Sequence, residues 1–208
     1  MKVKKLVITA FCVFLLTFCL AISVSAYEYW HKGLQSIPSD IYISTSVSSA
    51  ANARCRDAME TWNDTCFSYD CLVYSGTTST TTYAVEDNKN TITIASTTES
   101  YLGQTTATQK KYTFLWLNWY MEEFDININP KYSWYTLESE TSITSSTYAS
   151  HYDLESMILH ELGHALGLDH APDRTYNGVR VVMYEAMGSQ QIIRVLSEDD
   201  RRGIVDLY

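Results

Sequence analysis

The chain has 208 residues, 46% of them hydrophobic and 13% aromatic, with 24 acidic residues against 15 basic ones. That length and apolar content suit one domain with a sizeable core, and no internal repeat points to an array. A net charge of −9 argues against nucleic acid as a partner.

The chain opens Met-Lys-Val-Lys-Lys and runs through an apolar stretch, Leu6 to Ala26, ending Val24-Ser25-Ala26. A charged start, an apolar middle and a small-residue exit are the pattern of a secretory signal. Residues 1–26 are therefore expected to be removed, leaving residues 27–208 as one secreted, extracellular domain with no stable membrane association. Retention as an anchor is the competing reading, because the stretch approaches a bilayer span. A lipid anchor at Cys19 is disfavoured by bulky Phe18 before it. Cleavage would remove Lys2, Lys4 and Lys5 and leave 12 basic against 24 acidic residues, about −12. It would also remove Cys12 and Cys19, leaving Cys55, Cys66 and Cys71 in an oxidising compartment. One bridge is expected, Cys55 with Cys71 or Cys66 with Cys71, and no Cys-x-x-Cys pairing supports a thiolate metal site.

Ser39 to Ser44 alternates with β-branched and aromatic residues and is expected to form the first strand. From Ser46 to Asn63, Val47, Ala50, Ala51, Cys55, Ala58, Met59 and Trp62 recur at three- and four-residue spacing. That spacing predicts an amphipathic helix with its apolar stripe against a sheet. Residues 75–82 read as a solvated Ser/Thr turn region, and Asp87-Asn88-Lys89-Asn90 separates two expected strands, Thr82 to Val85 and Thr91 to Ala95. Tyr112 to Tyr120 and Glu123 to Ile128 read as two more strands before the break at Asn129-Pro130.

After a Ser/Thr-rich loop, Asp153 is placed to cap a helix that buries Leu154, Met157, Ile158, Leu162, Ala165 and Leu166 and stops at Gly167. A last helix starts at Ser197, with Glu198, Asp199 and Asp200 where the macrodipole favours acids and with Ile204 and Leu207 turned inward.

The chemistry lies in His160-Glu161-Leu162-Gly163-His164, which places two imidazoles one helical turn apart on one face with a carboxylate beside them. The chain continues Ala165-Leu166-Gly167-Leu168-Asp169-His170, and Gly167 lets the backbone turn out of the helix and return a third imidazole. Three ligands, His160, His164 and His170, leave a fourth position open for water on one catalytic zinc ion, with Glu161 as general base. Imidazole is a borderline-soft ligand, which suits zinc better than magnesium or calcium. His31 and His151 have no such spacing and read as ordinary core or surface histidines.

This long motif resembles that of the metzincin metallopeptidases, in which it is followed by a turn carrying a methionine beneath the metal. Val182-Met183-Tyr184 resembles the methionine turn of the matrixin branch, with Met183 the preferred candidate and Met187 the reserve. Leu196-Ser197-Glu198-Asp199-Asp200 with Gly203-Ile204 and Leu207-Tyr208 resembles its final helix, and the likeness extends more weakly to Ala58–Trp62 and Asp125-Ile126. The resemblance implies an α+β fold: a twisted, mixed, mostly parallel five-stranded sheet with two long helices, a zinc-site helix, and a small C-terminal subdomain ending in a helix. It implies a zinc metalloendopeptidase that works as a monomer on a protein or peptide substrate laid extended along an edge strand. The candidate edge is Tyr101 to Thr108, and Tyr184 to Arg194 is the candidate pocket wall. Family members often carry structural calcium, for which Asp125, Asn127 and Asn129 offer oxygens; a solvated polar strand face is the preferred reading of those three.

The chain also departs from the branch. Ala171 follows the third histidine where serine is usual, the connection from His170 to Met183 is longer than usual, and no Pro-Arg-Cys-Gly signature occurs. A catalytically silent zinc-binding interaction module is the alternative function. Glu161 favours the enzyme, since a silent module needs no acid between its ligands.

Overall fold

The computed structural model describes residues 29–66, 69–113 and 118–208; the expected signal segment lies outside the described residues. Among the described residues no helix is long and apolar enough to cross a membrane.

The strands are β1 (Ser39–Ser44), β2 (Leu72–Thr78), β3 (Asn90–Ile94), β4 (Gly103–Tyr112) and β5 (Trp119–Ile128), arranged β2-β1-β3-β5-β4 in one sheet. Every pairing is parallel except β4 with β5, a hairpin that leaves β4 antiparallel at the edge. The first long helix, α1 (Ser49–Cys66), fills the crossover between β1 and β2, as a parallel pair requires. Its stripe of Ala51, Cys55, Ala58, Met59 and Trp62 is buried with Ile41, Ile43, Ile92 and Ile126 of the sheet. The second, α2 (Leu154–Leu166), packs against α1 and under β4, and α3 (Glu198–Leu207) closes the C-terminal part.

Two short pairs complete the frame: β6 (Ser133–Tyr135) with β7 (His151–Asp153), and β8 (Thr175–Tyr176) with β9 (Val179–Arg180). The second is a hairpin turned on Asn177-Gly178, both at positive φ (50° and 81°), the conformation a two-residue hairpin loop demands. It occupies the long connection between His170 and Met183.

Several expectations need correction. Thr82 to Val85 is not a strand: this loop lies on the sheet, where Asp125 Oδ2 accepts from Val85 N at 2.8 Å and Glu123 takes the amides of Asp87 and Asn88. Part of the Ser/Thr turn region instead belongs to β2, whose β-branched threonines suit the sheet margin. Tyr112 to Tyr120 is not one strand: Tyr112 ends β4 and pairs with Trp119, which opens β5, while residues 114–117 of that expected strand lie outside the described residues. The first helix begins at Ser49, not Ser46.

Asp125, Asn127 and Asn129 are not a solvated face, being 2%, 1% and 0% exposed. Their side-chain oxygens accept from the amides of Thr91, Val85, Ala95 and Lys131, so the groups considered for calcium already hold the overlying loops. Cys55 is a buried free thiol and is not bridged to Cys71; burial pushes it up to about 12. Cys71 Sγ lies 3.2 Å from Asn63 Oδ1, and the side chain of Cys66 is outside the described residues.

Candidate metal centre

The α2 helix forms where its sequence says it should. Asp153 caps it by accepting from Ser156 N, ten of its residues besides Gly163 are buried, and Gly167 ends it at φ 117°, a left-handed turn that L side chains resist. A side chain at Gly167 would also run into Leu207 and the backbone of Gly33. The turn brings His170 back to the helix: one ligand atom from each of His160, His164 and His170 lies within 4.8 Å of the others, and the Nε2 atoms of His164 and His170 are 3.3 Å apart.

The ring orientations are fixed by backbone carbonyls. His160 Nδ1 faces Val182 O at 2.8 Å and His164 Nδ1 faces Leu168 O at 2.8 Å. A carbonyl can only accept, so each ring carries its proton on Nδ1 and presents a lone pair at Nε2. Burial pushes both imidazoles down to about 4, so they stay neutral at physiological pH. Neutral, pre-oriented nitrogens converging on one point are the donor set that zinc takes, and the residues fit the ion.

Glu161, on the same turn, is 5% exposed and burial raises its carboxyl's affinity for the proton. Thr105 of β4, which sequence reading did not single out, shares its one hydroxyl proton between Glu161 Oε2 and Glu161 O, each 2.8 Å away. Only the β4 register could have revealed it.

Met183 lies under the helix. Its Sδ would sit 2.3 Å from a Cβ added at Gly163, with Trp62 at 3.1 Å, so the glycine between the two histidines is what lets the methionine turn approach. Asp200, read from sequence only as a first-turn acid of the final helix, pins that turn: its carboxylate accepts from Val182 N and Met183 N at 3.1 Å each and from Ser197 Oγ at 2.6 Å. Val182 O in turn holds His160, so the final helix reaches the metal site through two bonds. Ala171, in the place of the usual serine, pairs its amide with Met183 O at 2.8 Å. Met187, the reserve candidate, lines the cleft instead.

The three histidines open into a cleft of about 640 Å³ bounded by Gly103 and Thr105 of the edge strand on one side and by Tyr184, Met187 and Ile193 on the other. Residues of the segment expected to form the pocket wall thus line the cleft, and Arg194 anchors that segment. This buried guanidinium pairs with Asp153 Oδ1 at 2.6 Å and donates to the carbonyls of Leu137 and Glu138, while Ile193 N donates to Ser156 Oγ at 2.7 Å. Of the two histidines read as ordinary, His151 is half-buried beside Tyr148, whereas His31 packs behind His164.

Comparison with known proteins agrees with this geometry. Metalloendoproteinase 1 of Glycine max is 39% identical over 66 residues, a stretch covering 32% of this chain and 20% of that protein. The matrixin family model matches residues 42–208, from the first strand through the final helix. The chain belongs to the matrixin family of zinc metallopeptidases.

Proposed function

We propose that the protein is a secreted endopeptidase in which His160, His164 and His170 hold one zinc ion and Glu161 is the general base. The observation that carries this reading is the convergence of three imidazole ligand atoms within 4.8 Å beside a buried carboxylate, in an open cleft. Bound there, zinc supplies a Lewis acid for water and for the scissile carbonyl.

The chain's own residues do the rest. Glu161 accepts the proton of the attacking water and passes it to the leaving amine, and its burial favours such proton uptake. Thr105 keeps one carboxylate oxygen engaged, which fixes the direction in which the other faces. Substrate lies extended along β4, the antiparallel edge strand that adjoins both Glu161 and the cleft. Met183 supports the floor of the site by packing on Gly163.

The test is to digest a denatured protein and map the new termini by mass spectrometry, before and after chelation and zinc add-back. Cuts at internal peptide bonds that stop on chelation and return with zinc support the reading. Intact substrate over a broad panel, with zinc bound, contradicts it in favour of a silent zinc-binding module.

A further inference from the structure

His31 is 4% exposed and lies 133 residues before His164 in sequence, yet its Nε2 is 2.9 Å from the His164 carbonyl oxygen. Gly33 N donates to His31 Nδ1 at 3.0 Å. Nδ1 lies 3.0 Å from both the amide and the carbonyl of Gly33; when it accepts from the Gly33 amide, the neutral ring carries its proton on Nε2 and donates it to the His164 carbonyl, which can only accept. The ring cannot swing away, because Trp119 stacks on it at 4.6 Å and Trp30 meets its edge at 5.6 Å.

The surroundings show what this bond secures. The His164 carbonyl already accepts from Gly167 N at 3.0 Å as the helix closes, so His31 adds a second donor to it, and the carbonyls that follow at the helix end also draw partners from outside the helix. Here Gly167 O accepts from Trp30 N at 2.9 Å and Leu166 O accepts from the Tyr208 hydroxyl at 2.9 Å. Tyr29 bridges to Leu168, whose carbonyl orients the His164 ring. The indole of Trp30 also meets the His164 ring edge-on at 5.7 Å. All of these contacts fall between His164 and Leu168, the segment that sets the His164 ring and returns the chain to His170.

We propose that His31 is a positioning residue for the metal centre: its Nε2–H clamps the His164 carbonyl and so holds the 164–170 turn in the shape that brings the second and third ligands together. This rests on the assignment of His164 and His170 as ligands. It assigns a role to a histidine outside the zinc motif, one that acts through the backbone and touches neither metal nor substrate.

Two substitutions separate the two ends of the ring. His31→Gln can place an amide N–H near the original Nε2 and keep the bond to His164, whereas His31→Asn can mimic only the Nδ1 end toward Gly33. The experiment is zinc release from the full-length protein into a chromogenic chelator, with unfolding of the metal-free proteins measured beside it. His31→Asn is expected to release zinc at least about tenfold faster than the parent, and His31→Gln to stay within about threefold, with the two variants similar in metal-free stability. Parent-like release from both variants overturns the proposal. Equal acceleration in both, or failure of both to fold, also overturns it, because a general packing role would explain either. A parent that takes up no zinc overturns this proposal and the ligand assignment together, whereas a parent that binds zinc but cleaves nothing contradicts only the peptidase reading.

Discussion

Thr105, near the start of the edge strand, shares its single hydroxyl proton between two oxygens of Glu161 on the zinc-site helix, the carboxylate Oε2 and the main-chain carbonyl, each 2.8 Å away. One hydroxyl thus ties the expected substrate-binding strand to the expected general base. Thr105→Val keeps shape and β-branching but removes the donor. A hydrogen bond to a charged group contributes roughly 1.5–3 kcal/mol, so kcat is expected to fall about 10- to 100-fold with KM little changed. Thr105→Ser should recover most of the loss. Steady-state kinetics of the three proteins, with zinc content measured in each, decides this; unchanged kcat in Thr105→Val would remove Thr105 from the site.

Asp200 is the link between the final helix and the metal turn. Asp200→Ala would leave the amides of Val182 and Met183 without their buried acceptor, and each such loss costs roughly 1–3 kcal/mol. The expected result is a large drop in unfolding free energy together with faster zinc loss, because Val182 O no longer steadies His160. Denaturant unfolding and a chelator assay on the same samples test this; a destabilised protein with unchanged zinc release would break the proposed connection.

Much of this architecture was legible in the sequence, where local chemistry and the final structure agree. Ser39–Ser44 is a strand, Asp153 and Gly167 bound the zinc-site helix, and Ser197 caps the last helix with a capping box completed by Asp200. The cluster of His160, His164 and His170 was legible for the same reason, since three histidines within eleven residues meet through one helix and one turn. What could not be read were relationships made by the sheet. Thr105 meets Glu161, and His31 meets His164, only after five strands are ordered and β4 is folded back on β5. The row Asp125, Asn127, Asn129 looked solvated because alternation shows a shared face but not the loop that covers it. The aromatic run 112–120 reads as one strand because apolar content without Gly or Pro does not show that Tyr112 and Trp119 belong to two antiparallel strands.

Arg194 is 8% exposed, holds Asp153 and Glu155 at 2.6 and 3.2 Å, and fixes the pocket wall. Arg194→Met leaves buried Asp153 without its cation, while Glu155 keeps only Arg54 at 3.1 Å, so a loss of about 3–5 kcal/mol is expected. Urea unfolding of parent and variant measures it. A loss under about 1 kcal/mol would mean that water reaches the cluster and that the wall is held by other contacts.

The buried histidines make a signed prediction about pH. His160 and His164 are pushed from 6.5 down to about 4, chiefly by burial. Between those values the unfolded chain binds protons that the folded imidazoles refuse, so their contribution to stability rises with pH from about 4 to 6.5 and is then level. Asp125, raised to about 6 by burial, contributes in the opposite sense between about 4 and 6. The comparison must therefore be a difference: metal-free parent against a His160→Gln, His164→Gln double variant. The stability of the parent relative to the variant should increase across that window, and a flat or falling difference would show that the imidazoles are hydrated.

The most direct test of the central claim compares residues 27–208 with the Glu161→Ala variant, measuring bound zinc and hydrolysis of a denatured protein in the same preparations. About one zinc per chain in both, with cleavage by the parent alone, is the result this account predicts. Equal cleavage by both proteins, or absence of zinc from the parent, would contradict it.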